Sequence, residues 1–406
     1  MPEQFLHGVE LIEAASGAPP IQTVRSAVIG LIGTAPDADP AAYPLNTPVL
    51  IAGNRVEAAK LDMTGAGEGT LPDAVDAVFD QAGALIVVIR VEEDASEAAT
   101  IANIIGGVDP LTGQYLGLQA FLSAQHTLGL TPKVLIAPGF TSYVTRDENV
   151  AGNPIIGAPV VTELVSVAER LRAVIIADGP NTTDAEAQTY RGLFATPRVY
   201  VVDPWSNVFD TAALATVAQP ASARVAGIIA KSDAERGFWW SPSNREMLGI
   251  TGAARAVDFS LGDPNCRANI LNEHNVATII RPDQGGYRLW GNRCADGTFL
   301  SVRRTKDMVM DSLQAAMLWA VDQNIVATYL DDVAERVNAY LRILKKKGAL
   351  VGGRCWPNPD LNTPDQISAG KSYWDFDLGF AFPGEHLTFT CYQNDGYLTE
   401  LLTNAA

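Results

Sequence analysis

Histidine is scarce: four residues, His7, His126, His274 and His386, in a chain of 406. None stands in an HExxH frame, which removes the zinc-protease pattern. Cysteine is as sparse. Cys266, Cys294, Cys355 and Cys391 form no CxxC pair, and their spacings of 28, 61 and 36 residues match no zinc signature. Free thiols in a reducing cytoplasm are the expected state, although sequence alone supplies no distances by which a bridge could be judged. No apolar run reaches the roughly 18 residues that a membrane span requires. The opening residues, MPEQFLHGVELIE, carry acidic side chains where a secretory leader carries basic ones. Positive charge is also in short supply, with 29 Lys and Arg against 46 Asp and Glu, a net charge of −17. Such a surface repels phosphate backbones, so no nucleic-acid partner and no membrane insertion are expected.

Catalytic signatures are missing too. TGAGEGT (Thr64 to Thr70) is glycine-rich but lacks the Lys-Ser/Thr of a phosphate-binding loop and the spacing of a dinucleotide fingerprint, so it reads as a loop. No G-x-S-x-G nucleophile elbow occurs. IIADGP sets Asp178 at a strand end, where α/β enzymes do place acids; a capping or turn role is the plainer reading, and a hydrolase-like enzyme working through Asp178 is the alternative function. FWWSPSN (Phe238 to Asn244) could form a ligand platform, but paired tryptophans more often wall a junction between domains or subunits. No catalytic, cofactor-binding or metal-binding residue is assigned.

What the chain does have is 47% hydrophobic and 18% charged residues, a globular balance, and a regular alternation. SAVIGLIGTA (Ser26 to Ala35) is small, apolar and continuous, as suits a strand buried on both faces. PVLIAG, ALIVVIRV, KVLIAPG, VIIADGP and RVYVVDP read as further strands. Between them TLPDAVDAVFDQAG, GLQAFLSAQHTLG, PVVTELVSVAERLRA and DAEAQTYRGLF read as helices, and residues 211–235 as a helix interrupted at Pro220. Strands spaced by helices of this length predict a mainly parallel α/β sheet over roughly residues 26–270.

From about Val276 the texture changes. VATIIR is a strand, and GYRLWGNRCADGTFLSV predicts a hairpin around Asp296-Gly297. Two helices follow, the first with Met310, Leu313, Met317 and Val321 on one face, the second with Leu330, Val333, Val337, Leu341 and Leu344. The second is polarised, with Asp331 and Asp332 expected in its first turn and Lys345 to Lys347 in its last, before Gly348. SYWDFDLGFAF then alternates Trp374, Phe376, Leu378 and Phe380 against Asp375 and Asp377, and a turn at Pro383-Gly384 leads into a second alternating strand, HLTFTCYQ. Both chain ends, HGVELIEAASGAPP and GYLTELLTNAA, look like short strands without an obvious partner; pairing within their own subunit is the simplest reading from periodicity alone.

Three segments, GVELIEAASGAPPIQTVRSAVIGLIGTAPDAD, YRLWGNRC with Trp290-Gly291, and ISAGKSYWDFDLGFAFPGEHLTFTCYQ, together resemble the tail sheath proteins of contractile-tailed bacteriophages and R-type bacteriocins, in that family's order and spacing over nearly the whole chain. The resemblance implies a structural subunit, not an enzyme and without cofactors, that forms six-fold rings stacked helically around a tail tube, joins baseplate and tail terminator proteins, and contracts to drive the tube through a target envelope. It implies a virion tail or bacteriocin particle assembled in the bacterial cytoplasm. It also implies an N-terminal arm (1–25), an outer α/β domain (26–275), a tube-facing α+β inner domain (276–392) and a C-terminal arm (393–406). The arms would donate Val9, Glu10, Leu11 and Ile12, and Leu398, Thr399, Leu401 and Leu402, to neighbouring subunits as added strands. The accepting pair would carry Trp374, Phe376, Leu378, Leu387 and Phe389. For the tube contact, the charges Asp331, Asp332, Glu335, Arg336, Arg342 and Lys345 are candidates, with Lys306, Asp307 and Asp311 of the preceding helix as the alternative.

Overall fold

The computed structural model describes residues 21–210 and 214–395 together with Tyr397. Its principal strands are β1 (Val28–Thr34), β2 (Val49–Ala52), β3 (Leu85–Val91), β4 (Val134–Ile136), β5 (Val174–Asp178), β6 (Val199–Val202), β7 (Ser206–Asp210), β8 (Ala215–Gln219), β9 (Arg245–Glu246), β10 (Gly252–Ala253), β11 (Val276–Ile280), β12 (Arg288–Trp290), β13 (Leu350–Pro357) and β14 (Trp374–Phe380). The main helices are α1 (Leu71–Phe79), α2 (Glu97–Ile105), α3 (Pro159–Leu171), α4 (Asp184–Gly192), α5 (Ser222–Glu235), α6 (Arg267–Glu273), α7 (Leu300–Ala316) and α8 (Ala327–Lys346).

All seven residues of β1 are buried, and they alternate between two cores: Ile29 and Leu31 face one side of the sheet, Val28 and Ile32 the other. That is why the run is continuously apolar, since a strand covered on both faces has no side that water reaches. β1 lies within a nine-stranded sheet of order β9-β12-β11-β6-β5-β4-β1-β3-β2. The six strands from β11 to β3 in that order are parallel, and β2, β12 and β9 add antiparallel edges. One face is covered by α1 and α5, the other by α2, α3 and α4. α5 is buried nearly all round, with ten of its fourteen residues inside, because α1 covers the side that the sheet does not. Gly227 permits that approach, as a Cβ there would stand 2.9 Å from Gln81 and from the carbonyl of Val78.

Three expectations change here. Residues 215–219 are not helical: β7 and β8 pair antiparallel with Ser206 opposite Gln219 and Asp210 opposite Ala215, and the helix begins only at Ser222. The alanine-rich stretch has helical propensity, but cross-strand pairing with β7, for which Val208 meets Val217, overrides that weak local preference. β11, expected to open a separate C-terminal unit, is the sixth parallel strand of the large sheet, with Val201 opposite Val276. The turn at Asp296-Gly297 is present, but the hairpin shrinks to a single bridge between Arg293 and Phe299 before α7 starts.

A third hydrophobic cluster gathers Met308 and Val309 of α7, Val337, Tyr340, Leu341 and Leu344 of α8, and Leu350 and Cys355 of β13. Trp374, Phe376, Leu378 and Phe380 pack against it, as do Ile21 and Val24 from the start of the described chain. Phe238 is buried in this cluster and Trp239 packs on it, so the FWW stretch walls the junction with the α/β layers rather than forming a ligand platform.

Candidate assembly surface

β14 alternates as its sequence implies, with Trp374, Phe376 and Leu378 turned to the third cluster and Asp375 and Asp377 to solvent. Its partner, however, is β13: Cys355 lies opposite Phe376 and Gly353 opposite Leu378. The expected second accepting strand does not form. Residues 381–394 hold no regular structure, and Leu387 and Phe389 are 69% and 90% exposed. β13 already completes the wall of the third cluster, so an alternating strand at 387–392 has no apolar face left to cover within its own subunit. The β13–β14 ladder is therefore two-stranded, and among the described residues neither outer edge has a partner strand. A lone two-stranded ribbon is marginal in water, and open edges are ready templates for added strands. Val9, Glu10, Leu11, Ile12, Leu398, Thr399, Leu401 and Leu402 lie outside the described residues.

α8 carries its apolar face, Val333, Val337, Leu341 and Leu344, into the third cluster and presents charge outward. The helix begins at Ala327, so Asp331 and Asp332 fall in its second turn rather than its first; Lys345 and Lys346 do occupy the last turn, and Gly348 follows at φ +80°. Asp331, Asp332 and Lys345 are exposed. Glu335 pairs with Arg342, both more than 60% exposed. Arg336 is drawn inward, its guanidinium 3.9 Å from the centre of the Trp319 ring.

α7 keeps part of its expected face, since Leu313 and Met317 pack against the third cluster, and differs in the rest. Its buried stripe runs through Leu300, Arg304, Asp307, Met308 and Val309, whereas Met310 is half-buried, Met317 lies in a 3-10 turn beyond the helix, and Val321 is exposed. The polar members are matched across the junction with the α/β layers. Arg304 pairs with Asp233 of α5, Asp307 with Arg198 (and, within α7, with Arg303), and Asp311 with Lys133 and Arg172. Asp307 and Asp311 are thus engaged inside the subunit, and of the alternative tube-contact residues only Lys306 stands exposed. Apart from the Arg303–Asp307 pair within α7, the partners lie dozens to nearly two hundred residues apart in the chain, so no local pattern announces them.

Asp178 ends β5 fully buried. Its Oδ1 accepts from the backbone N–H of Ser222 at 2.7 Å and its Oδ2 from the Ser222 and Thr141 hydroxyls. Burial pushes its carboxyl up to about 6, against the lowering effect of these bonds. The residue caps α5. A small cavity of about 140 Å³ opens nearby at the carboxyl ends of β1 and β4, where ligands often sit in such sheets. Its walls include Thr70, Asp73, Pro138, Gln219 and Arg224 but not Asp178. Gln219 bridges the two charged groups, donating to Asp73 and accepting from Arg224. The arrangement pairs Asp73, Gln219 and one Arg224 nitrogen, and offers no paired nucleophile and base. Among the described residues no group of three His, Cys, Asp or Glu side chains could hold a metal.

The Trp290-Gly291 pair has a structural explanation. Trp290 packs edge-on against Phe259, ring centres 5.1 Å apart. Gly291 sits at φ +132°, its N–H bonded to Ser243 and its carbonyl accepting from the Tyr200 hydroxyl, and a Cβ there would stand 2.7 Å from Ala277 Cα. The chain leaves β12 against β11 through a space that only glycine fits.

Comparison with known proteins agrees with this geometry. The phage tail sheath protein central domain matches residues 118–295, the phage tail sheath C-terminal domain residues 295–394, and the N-terminal region of domain III of tail sheath protein Gp18 residues 26–91. A prophage major tail sheath protein of Pseudomonas aeruginosa is 40% identical over 98% of this chain and 99% of its own length. The tail sheath protein of Escherichia phage P2 is 37% identical, with 98% of each chain covered. Among solved structures, the sheath of an extracellular contractile injection system in its contracted state superposes with a TM-score of 0.68 at 19% identity, covering 98% of this chain and all of that one, a likeness of fold. The matching family models and both relatives are tail sheath proteins, a family of structural tail components; the chain belongs to the phage tail sheath protein family.

Proposed function

We propose that this subunit of a contractile sheath polymerises as six-fold rings stacked helically around a tail tube, and that adjacent subunits are linked by strands added to the β13–β14 ladder. The observation that carries the reading is the ladder itself: two strands, two edges without a partner strand among the described residues, and after them a segment whose Leu387, Phe389 and Tyr392 are left in water. Residues 1–20 and 396–406 supply the added strands, with Val9, Leu11, Leu398 and Leu402 as their apolar positions. Ladder hydrogen bonds and the entropy of ordering the strand are of similar size, so burial of those side chains decides whether the link holds. A modest link repeated along a lattice allows assembly and later reorganisation. In this reading the division between outer and inner parts falls near 295–300, after the last strand of the large sheet, and the inner part holds α7, α8, β13 and β14. Asp331, Asp332, Glu335, Arg342 and Lys345 face the tube, while baseplate and terminator proteins close the two ends of the sheath.

Deleting residues 1–20 or 396–406 tests the link. Each truncated subunit is expected to unfold at the wild-type temperature yet form no stable cylinders under the electron microscope. Full-length sheaths from either truncation would refute the donated-strand reading.

A further inference from the structure

The segment after β14 is not free along its whole length. Its first residues are fastened to the turn that joins β12 to α7. Glu385 takes a two-pronged bond from the Arg293 guanidinium, Nε to Oε1 at 2.9 Å and Nε to Oε2 at 3.1 Å, with a further bond from Nη2. Phe382 meets Phe299 ring edge to ring face, centroids 6.0 Å apart. Arg293 is itself held. Its guanidinium lies 4.2 Å above the Phe299 ring, its Nη1 donates to the carbonyl of Gly297 at 2.7 Å, and its backbone bridges to Phe299. Two contacts of different chemistry, on residues three apart, grip the segment at one place. Beyond it Leu387, Phe389, Cys391 and Tyr392 are exposed, and the side-chain bonds at His386, Thr388 and Gln393 are local.

We infer that Arg293 and Phe299 form a pin for the root of the C-terminal arm, so that Glu385 and Phe382 set the direction in which residues 386–406 leave the subunit and hence which neighbour they reach. The inference rests on the arm reading above and adds to it a positioning role for four residues that neither end segment contains. Without the pin, the arm starts at Phe380 rather than His386 and sweeps a wider volume. Its effective concentration at any one neighbouring ladder then falls, because a longer free tether dilutes its end. A bidentate Arg–carboxylate pair suits this use, since it fixes direction as well as distance. The pair is partly exposed, so its contribution to the stability of the lone subunit is small.

The test uses the full-length chain with spin labels at two introduced cysteines, His386→Cys just past the pin and Arg170→Cys on the exposed side of α3, in a Cys391→Ser background; Cys266, Cys294 and Cys355 are buried. The pinned protein is expected to show one narrow distance distribution, and Phe382→Ala/Glu385→Gln one at least twice as wide at an unchanged unfolding temperature. Without labels, the same double variant is expected to yield at least threefold fewer complete sheaths, whereas Arg293→Lys with Glu385 intact keeps the charge but not the fork and falls between. A distribution as narrow in the double variant as in the parent overturns the pin, and so does normal sheath yield from a variant whose distribution has broadened. Deleting residues 386–406 separates the two ideas. If that deletion assembles normally the arm reading fails and the choice of neighbour fails with it; if it abolishes assembly while the double variant assembles normally, the pin alone is wrong.

Discussion

Asp233 of α5 and Arg304 of α7 form a buried ion pair, Nη1 to Oδ1 at 2.8 Å, in which neither side chain is more than 4% exposed. Ser26 joins them, its hydroxyl donating to Asp233 at 2.6 Å and its carbonyl accepting from Arg304. One triad therefore ties the start of the described chain, the central helix and the first helix of the third cluster. In a machine whose subunits shift against one another, such a joint keeps each subunit a single body.

Removing one partner of that pair should be costly. Asp233→Ala leaves a buried guanidinium uncompensated, at about 3–5 kcal/mol. Replacing both, as Arg304→Met/Asp233→Leu, should cost much less. Urea denaturation of the unassembled subunit gives both numbers; a single-variant loss below about 1 kcal/mol means that the joint matters little.

Asp178 should make the subunit less stable as the medium turns from acid to neutral. Its folded-state value, about 6, lies above its usual 3.8, so between these values the native state holds a proton that the unfolded chain releases. The group's stabilising contribution is complete below about pH 4 and is lost as pH rises through 6, by at most ~3 kcal/mol. Asp178→Asn keeps an acceptor for the Ser222 N–H and lacks the titration. The difference in unfolding free energy, variant minus wild type, should therefore rise from pH 4 to pH 7. A difference that stays flat with pH refutes the assignment.

Gly291→Ala should destabilise the junction after β12. The substitution adds left-handed strain to a contact of 2.6 Å with Asn272 and 2.7 Å with Ala277. The cost is about 2–4 kcal/mol, readable as a lowered urea midpoint. A loss under half of that places the backbone elsewhere.

Asp332→Lys/Glu335→Lys changes charge only on the outer face of α8, so subunit stability should shift by less than about 0.5 kcal/mol. Decoration of tubes should weaken and its salt dependence should change, while tube-free sheath polymers persist. Normal decoration at raised salt would take α8 out of the tube contact.

How much was legible depended on distance along the chain. Runs such as VIGLIGT and VIIAD announced buried parallel strands, because a strand covered on both faces must be apolar throughout. The apolar face of α8 followed from helical spacing. Family resemblance, carried by three separated segments, pointed to the sheath. Other features stayed hidden. The β7–β8 hairpin hid inside an alanine-rich window, since pairing outweighs propensity there. Asp307 and Asp311 of α7 stood among the alternative tube contacts, because a charge in sequence does not show whether an opposite charge waits across a junction.

The sequence by itself determined the period and burial of the doubly covered parallel strands and of α8, for these depend on neighbours three or four residues away or on the composition of a short run. Only the tertiary structure decided partners: that β14 pairs with β13 and leaves residues 387–392 uncovered, that Asp178 caps α5, and that Arg293 holds Glu385. A strand's alternation, an aspartate or an arginine is compatible with many partners, and the choice among them is made by packing of the whole chain.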